Sequence, residues 1–303
     1  MSWVQATFVV DAIHVDTLSN MLEGFFAQAI TTENAGDEEF YEVAFPGTPD
    51  WQKVQVTALF DDAVDLAPII DFIHAHLSSP HGSEIPVVVD KLIDQDWERV
   101  WLDSFRPIEV GRQLWVCPSW CEPTDPNARN ITLDPGLAFG TGTHATTHMC
   151  LEWIAEQKLS GQRVLDYGSG SGILAIAALF SDAQRADAVD IDPMAVQACG
   201  ENACRNNVEH KMHSWLPEDL DSDAKHTYDL VIANILADVI IELRDTLLLH
   251  LRPEGTLLLT GILASQADRV INAFGESFDF SQTNSKHQDK GHWALLTGTR
   301  KLN

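Results

Sequence analysis

The run "VLDYGSGSGILAIAALF", from Val164 to Phe180, constrains the fold more than any other stretch of this chain. A short apolar segment leads into Gly168, Gly170 and Gly172, which alternate with Ser169 and Ser171, and a second apolar segment follows. "RVLDY" (163–167) reads as a buried strand and "GILAIAALF" as the start of a helix. Glycines between them let the chain turn sharply and let a ligand approach the backbone and the helix N-terminus. That order points to an open parallel α/β sheet with a ligand at the strand ends. The dinucleotide fingerprint is GxGxxG. Here the third glycine comes one residue early and Ile173 stands in its place. No Gly-Lys-Ser/Thr follows, so a Walker loop is excluded too.

A nucleoside ligand needs an acid at the end of the next strand to hold its ribose hydroxyls. "ADAVDIDP" supplies Asp190, 22 residues after Gly168. Asp192 precedes Pro193 and suits a helix N-cap with proline at the first helical position. "YDLVIANIL" (228–236) is an apolar strand opened by Asp229 and ended by Asn234. The fourth strand of such a sheet lies beside the first, so Asn234 faces the ligand. Its amide carbonyl can accept a hydrogen bond from an incoming amine; it also suits the cap of the following helix. "LRPEGTLLLTGIL" reads as helix end, turn and fifth strand, "ASQADRVINAFGE" as a helix and "HWALLTGTR" as a last strand.

The front of the chain differs. "WVQATFVV" is β-rich. "VDTLSNMLEGFFAQA" has helical spacing, with Leu18, Leu22, Phe25, Phe26 and Ala29 on one face and Asp16 as a candidate N-cap. "FYEVAF" and "WQKVQVTALF" read as strands around the turn "PGTPD", "DLAPIIDFIHAHL" as a helix and "EIPVVVDKL" as extended chain. This order is that of a ferredoxin-like split βαβ sandwich. Trp97, Val100, Trp101 and Phe105 form an aromatic stripe on a connecting helix. The expected domains are 1–90, a connecting segment 91–126, and an α/β domain 127–303.

Charge separates the two parts further. The net formal charge is −26. Residues 1–90 hold one lysine and fifteen acids, 1 − 15 = −14, against 18 − 30 = −12 for the rest. Such a field repels nucleic-acid backbones and attracts basic partners. No apolar run reaches the roughly 18 residues of a membrane span, and the N-terminus lacks a basic signal region. Five cysteines without a CxxC pair suit a reducing cytoplasm. His144 and His148 stand four apart but lack the glutamate of HExxH, so no metal is expected. Thr143 or Thr141 is a candidate helix cap there.

The segment "ITLDPGLAFGTGTHATTHMCLEWI" (131–154), with "DWERVWLDSF" and "LWVCPSW", closely resembles the PrmA family of ribosomal stalk-base protein L11 lysine methyltransferases. "VLDYGSGSGILAIAAL", "DIDPMAVQA" and "ANILA" match in order, so the resemblance covers nearly the whole chain. It implies a class I, Rossmann-like S-adenosylmethionine methyltransferase domain behind a small α+β substrate-recognition domain and a linker helix. The implied activity is methyl transfer to lysine and/or N-terminal amines of L11, free or in the large subunit, in the cytoplasm. Carried over by motif, the cofactor residues are Thr147, Gly168, Asp190 and Asn234, joined by Phe139 and Gly170, with Asn234 also catalytic. Nucleic-acid amino-methyltransferases of similar fold carry Asn-Pro-Pro and an aromatic at the fourth strand. This chain has Asn234-Ile235-Leu236-Ala237, with no aromatic to stack a base.

Overall fold

The computed structural model describes residues 3–35, 51–77, 85–92, 105–111, 113–134, 142, 144–220, 227–284 and 292–301. The chain divides into two compact units, Met1–Leu102 and Asp103–Asn303.

The first unit runs β1 (Trp3–Asp11), α1 (Val15–Gly24), β2 (Ala29–Asn34), β3 (Lys53–Asp61), α2 (Ala67–His76) and β4 (Val87–Leu92). Its antiparallel sheet has the order β2-β3-β1-β4. Period-two alternation places Val4, Ala6, Phe8 and Val10 of β1 and Val54, Val56, Ala58 and Phe60 of β3 in the core. Leu18 and Leu22 of α1 and Ile69 and Ile73 of α2 join the same cluster. Two expectations need correction. Ala29 opens β2 instead of extending the helix, because Phe26 turns left-handed (φ 62°) and the Ala27 N–H closes back on the Leu22 carbonyl. The N-cap is His14, which places Asp16 inside the first turn. The expected strand at 40–45 lies outside the described residues, as do Trp97, Val100 and Trp101.

The second unit opens with a three-stranded sheet of β5 (Ile108–Glu109), β6 (Leu114–Cys117) and β7 (Arg129–Thr132). There follow α3 (Ala145–Glu156), β8 (Arg163–Tyr167), α4 (Ile173–Phe180), β9 (Arg185–Val189), α5 (Pro193–Arg205), β10 (Met212–Trp215) and β11 (Tyr228–Asn234). The remainder is α6 (Ala237–Glu242), α7 (Arg244–His250), β12 (Leu251–Leu263), α8 (Ala267–Phe274), β13 (Phe278–Asn284) and β14 (Trp293–Arg300). Among the described residues, seven strands form one sheet in the order β10-β9-β8-β11-β12-β14-β13. All neighbours pair in parallel except β14, which is antiparallel to both β12 and β13. The chain winds outward from β8 to β10 and then returns to β11 on the other side of β8. This reversal is the switch point beyond which α/β sheets bind ligands.

Burial explains the apolar runs. Val164 and Leu165 of β8 and Val231, Ile232 and Ala233 of β11 are completely buried. Residues Ile173 to Leu179 of α4 are buried too, which is why that helix shows no polar face. Each large aliphatic side chain so buried contributes about 1.5–3 kcal/mol. Strand β13 went unassigned in the sequence; Phe278 and Phe280 alternate there, but the rest of "FDFSQTN" is polar and exposed at the sheet edge. The expected helix end and turn in 251–255 belong to β12, whose register slips between Leu251 and Thr256 around Glu254 at φ 61°.

Candidate functional site

The glycine turn joins β8 to α4 at the switch point. Gly168, Gly170 and Gly172 have φ values of 80°, 51° and 77°. Side chains avoid that left-handed region. Packing adds a second demand at two of them. A Cβ on Gly168 would meet Ile235 Cγ2 at 2.4 Å, and one on Gly172 would meet Cys199 Sγ at 2.5 Å. The first contact seats the glycine turn directly against the residue that follows Asn234.

Hydrogen bonds fix the turn from three sides. The N–H groups of Gly168 and Ser169 both donate to the Val189 carbonyl, at 2.8 and 3.0 Å. The Gly170 N–H donates to Asp190 Oδ2 at 2.8 Å. Asn202 Nδ2, reaching from α5, donates to the Ser171 carbonyl at 2.9 Å. Asp190 also accepts the Asp192 N–H on Oδ1 at 3.0 Å. Asp192 in turn accepts the Met194 N–H at 2.9 Å and caps α5, with Pro193 at the first helical position. Asp192 therefore has the expected capping role. Asp190 has a structural role that spacing alone did not reveal: it clamps the glycine turn. Each of its oxygens keeps lone-pair capacity beyond the one amide it accepts.

Asn234 ends β11. Ile232 pairs with Asp166, so Asn234 lies two residues further along, level with the glycine turn. Its Nδ2 donates to Thr147 Oγ1 at 3.1 Å. Thr147 is almost completely buried in the first turn of α3. Two residues chosen from separate motifs, 87 positions apart, are thus in direct contact. With Nδ2 held by Thr147, Asn234 Oδ1 has no partner among the described residues. The N-cap of α3 is His144, whose Nδ1 accepts weakly from the Thr146 N–H at 3.4 Å and lies 2.7 Å from Thr146 Oγ1. The His144 ring meets Trp293 edge-on at 5.1 Å. Thr141, Thr143 and Phe139 lie outside the described residues.

Asp166, which heads the glycine pattern one residue before the end of β8, is completely buried, and the sequence alone assigns it no role. Its Oδ2 accepts the Ala175 N–H at 3.2 Å, while Oδ1 has no partner among the described residues. Burial, and secondarily the charge of Asp190, pushes this carboxyl up to about 7, against the lowering effect of the Ala175 N–H. Cys199, behind the turn, is pushed up to about 12 by burial and then by Asp166. Neither that thiol nor Cys150, raised for the same two reasons, is a reactive thiolate. The glycine turn, an acid, an amide and one orphaned buried carboxyl oxygen thus lie together at the ends of β8, β9 and β11.

The family model described as "Ribosomal protein L11 methyltransferase (PrmA)" matches residues 2–301. The chain belongs to the PrmA family. A ribosomal protein L11 methyltransferase of Shewanella amazonensis is 42% identical over 302 residues, covering 99% of each chain. The Chromohalobacter salexigens relative of the same description is 44% identical over 279 residues, 91% of this chain and 92% of its own. Among solved structures, the ribosomal protein L11 methylase of Lactobacillus delbrueckii subsp. bulgaricus is 33% identical, with a TM-score of 0.57. It covers 65% of this chain and all of its own. The seven-stranded sheet is therefore a methyltransferase fold, and the PrmA glycine turn, Asp190, Thr147 and Asn234 stand together at its switch point.

Proposed function

We propose that this chain transfers methyl groups from S-adenosylmethionine to lysine and/or N-terminal amines of ribosomal protein L11. The observation that carries the reading is the Thr147–Asn234 contact beside the Asp190-clamped glycine turn. S-adenosylmethionine is the methyl donor, and when bound it supplies a methyl on a positively charged sulfur. The residues fit it: Asp190 retains acceptor capacity for ribose hydroxyls, the left-handed glycines keep side chains off the turn, and Asp166 Oδ1 is a buried acceptor without a partner among the described residues. Gly168 and Gly170 contribute backbone to the cofactor, Asp190 the ribose contact, and Thr147 and Asn234 the reacting end. Phe139 belongs to the same assignment by motif.

The chemistry left to the protein is positioning. A lysine amine has a pKa of about 10.4, so holding it neutral at pH 7 costs about 4–5 kcal/mol. Desolvation lowers that cost. Asn234 Oδ1, which the Thr147 contact leaves unengaged, would accept one N–H of the incoming amine and hold its nitrogen in place for the methyl. Water removes the proton in this scheme, with no side-chain base assigned.

Residues 1–90 act in this reading as a ferredoxin-like recognition module, 91–126 as the connection and 127–303 as the catalytic part. Support for the module comes from its β-α-β-β-α-β order and its strand order β2-β3-β1-β4. The pairing of β6 with β7 favours attaching the end of the connection to the catalytic part. A −14 module suits a basic ribosomal protein, either free or in the large subunit, and disfavours direct nucleic-acid readout. Among the described residues no helix is long and apolar enough to cross a membrane. A ribosomal substrate favours a reaction in the cytoplasm. The test is transfer of a labelled methyl from the cofactor to a panel of purified ribosomal proteins and to ribosomal RNA. Label on L11 alone is expected; label on RNA, or spread evenly over the panel, would overturn the assignment.

A further inference from the structure

Phe26 adopts a backbone conformation that its residue type disfavours and gains no burial in return. It follows α1, with its N–H on the Glu23 carbonyl at 2.9 Å and the Ala27 N–H on the Leu22 carbonyl at 3.1 Å. This is the helix-ending turn whose left-handed position normally goes to glycine. The Phe26 φ is 62° and its side chain is 82% exposed. The other left-handed non-glycine residues described are Gln113, Asp182, Asn207 and Glu254, all of which are polar. Phe26 alone among them presents an apolar ring to water.

A second exposed aromatic stands close to the end of α1: Phe25, the residue before Phe26, packs edge-on against Phe72 of α2 at 5.2 Å. Phe72 is 41% exposed and stacks on His76 at 4.0 Å. Exposed acids flank the aromatics: Glu23 three residues before Phe26, and Asp71 beside Phe72. Neither α1 nor α2 contains a lysine or arginine.

We propose that Phe26 and Phe72 form the docking face for a basic segment of the acceptor protein. Aromatic faces attract ammonium and guanidinium groups. The aliphatic stems of lysine and arginine cover apolar rings while their charged ends stay in water. Glu23 and Asp71 supply the complementary field. An exposed aromatic held at the cost of backbone strain is a residue of the kind that dominates protein interfaces. The proposal rests on the reading that the acceptor is a basic ribosomal protein.

The test is Phe26→Gly in the full chain. Glycine is the preferred residue in this turn, so the variant is expected to melt no lower than wild type. Calorimetric affinity for purified L11 should fall at least about fivefold, as for an interface residue of moderate weight. Affinity for S-adenosylmethionine and the turnover rate at saturating L11 should stay as they are. Equal L11 affinity in variant and wild type overturns the docking face. So does a lower melting temperature, which makes Phe26 structural, or a change in mass in solution, which makes the face a contact between copies. Wild-type binding of L11 without methyl transfer removes the activity reading and leaves the docking face standing if Phe26→Gly weakens that binding. No binding of L11 by the wild type overturns the docking face as well.

Discussion

Replacing Asp166 with asparagine isolates the least comfortable group in the site. The Asp166 carboxyl is fully buried, holds one N–H from Ala175, and has a second oxygen with no partner among the described residues. Its pKa is raised from 3.8 to about 7, first by burial. The folded state therefore binds the proton more tightly than the unfolded chain. Stability from this group is fully present below pH 3.8, is lost as pH rises toward 7, and is flat above. The whole rise corresponds to on the order of 4 kcal/mol, of which about 3 kcal/mol falls between about pH 5 and 8. An asparagine side chain at this position cannot ionise. Its carbonyl oxygen can keep the Ala175 bond, while its amide nitrogen lacks an acceptor, which costs about 1–3 kcal/mol at every pH. Asp166→Asn is thus expected to be less stable than wild type at about pH 5 and to close or reverse that gap by about pH 8. Urea unfolding of both proteins across this range, without cofactor, reads the gap. A gap constant to within about 1 kcal/mol from about pH 5 to 8 would refute the placement of a raised carboxyl at the end of β8.

Other consequences are more local. Gly172→Ala combines left-handed strain with a Cβ 2.5 Å from Cys199 Sγ, so it should destabilise by about 2–5 kcal/mol in urea; a loss below about 0.5 kcal/mol would mean that the turn adapts freely. Asp190→Ala removes both the proposed ribose contact and the clamp on Gly170, and calorimetry should show S-adenosylmethionine binding at least about tenfold weaker; unchanged affinity rejects the role. The −14 front segment should make association with L11 slow down as salt rises, and a salt-independent on-rate in stopped flow argues against steering.

The catalytic fold was legible because its signals are local. A glycine turn between two apolar runs, an acid 22 residues on and an asparagine at a strand end each sit on one element. Their order fixes the sheet by the connection rules of α/β folds. The Asn234–Thr147 contact was not legible, since 87 residues separate the pair and only the closed sheet brings them together. The clamp by Asp190 was hidden for the same reason: a ribose acid and a turn-holding acid have the same spacing in sequence. Asp166 heads the glycine pattern, Asp166-x-Gly168-x-Gly170-x-Gly172, but spacing alone assigns it no role; its burial and orphaned oxygen become visible only once α4 covers it. In the front unit, helical periodicity carried the α1 pattern through to Ala29. Nothing in a phenylalanine pair announces a left-handed helix end, so the sequence does not show β2 (Ala29–Asn34).

The most direct test of the account is the intact mass of purified L11 after incubation with S-adenosylmethionine and either this protein or its Asn234→Ala variant. Wild type should raise the L11 mass by whole methyl units, and the variant should do so at least about a hundredfold more slowly, as loss of a positioning contact at the reacting atoms permits. Near-normal turnover by Asn234→Ala at saturating cofactor would contradict the role assigned to the end of β11. An unchanged L11 mass with wild type, with cofactor binding verified, would contradict the proposed acceptor.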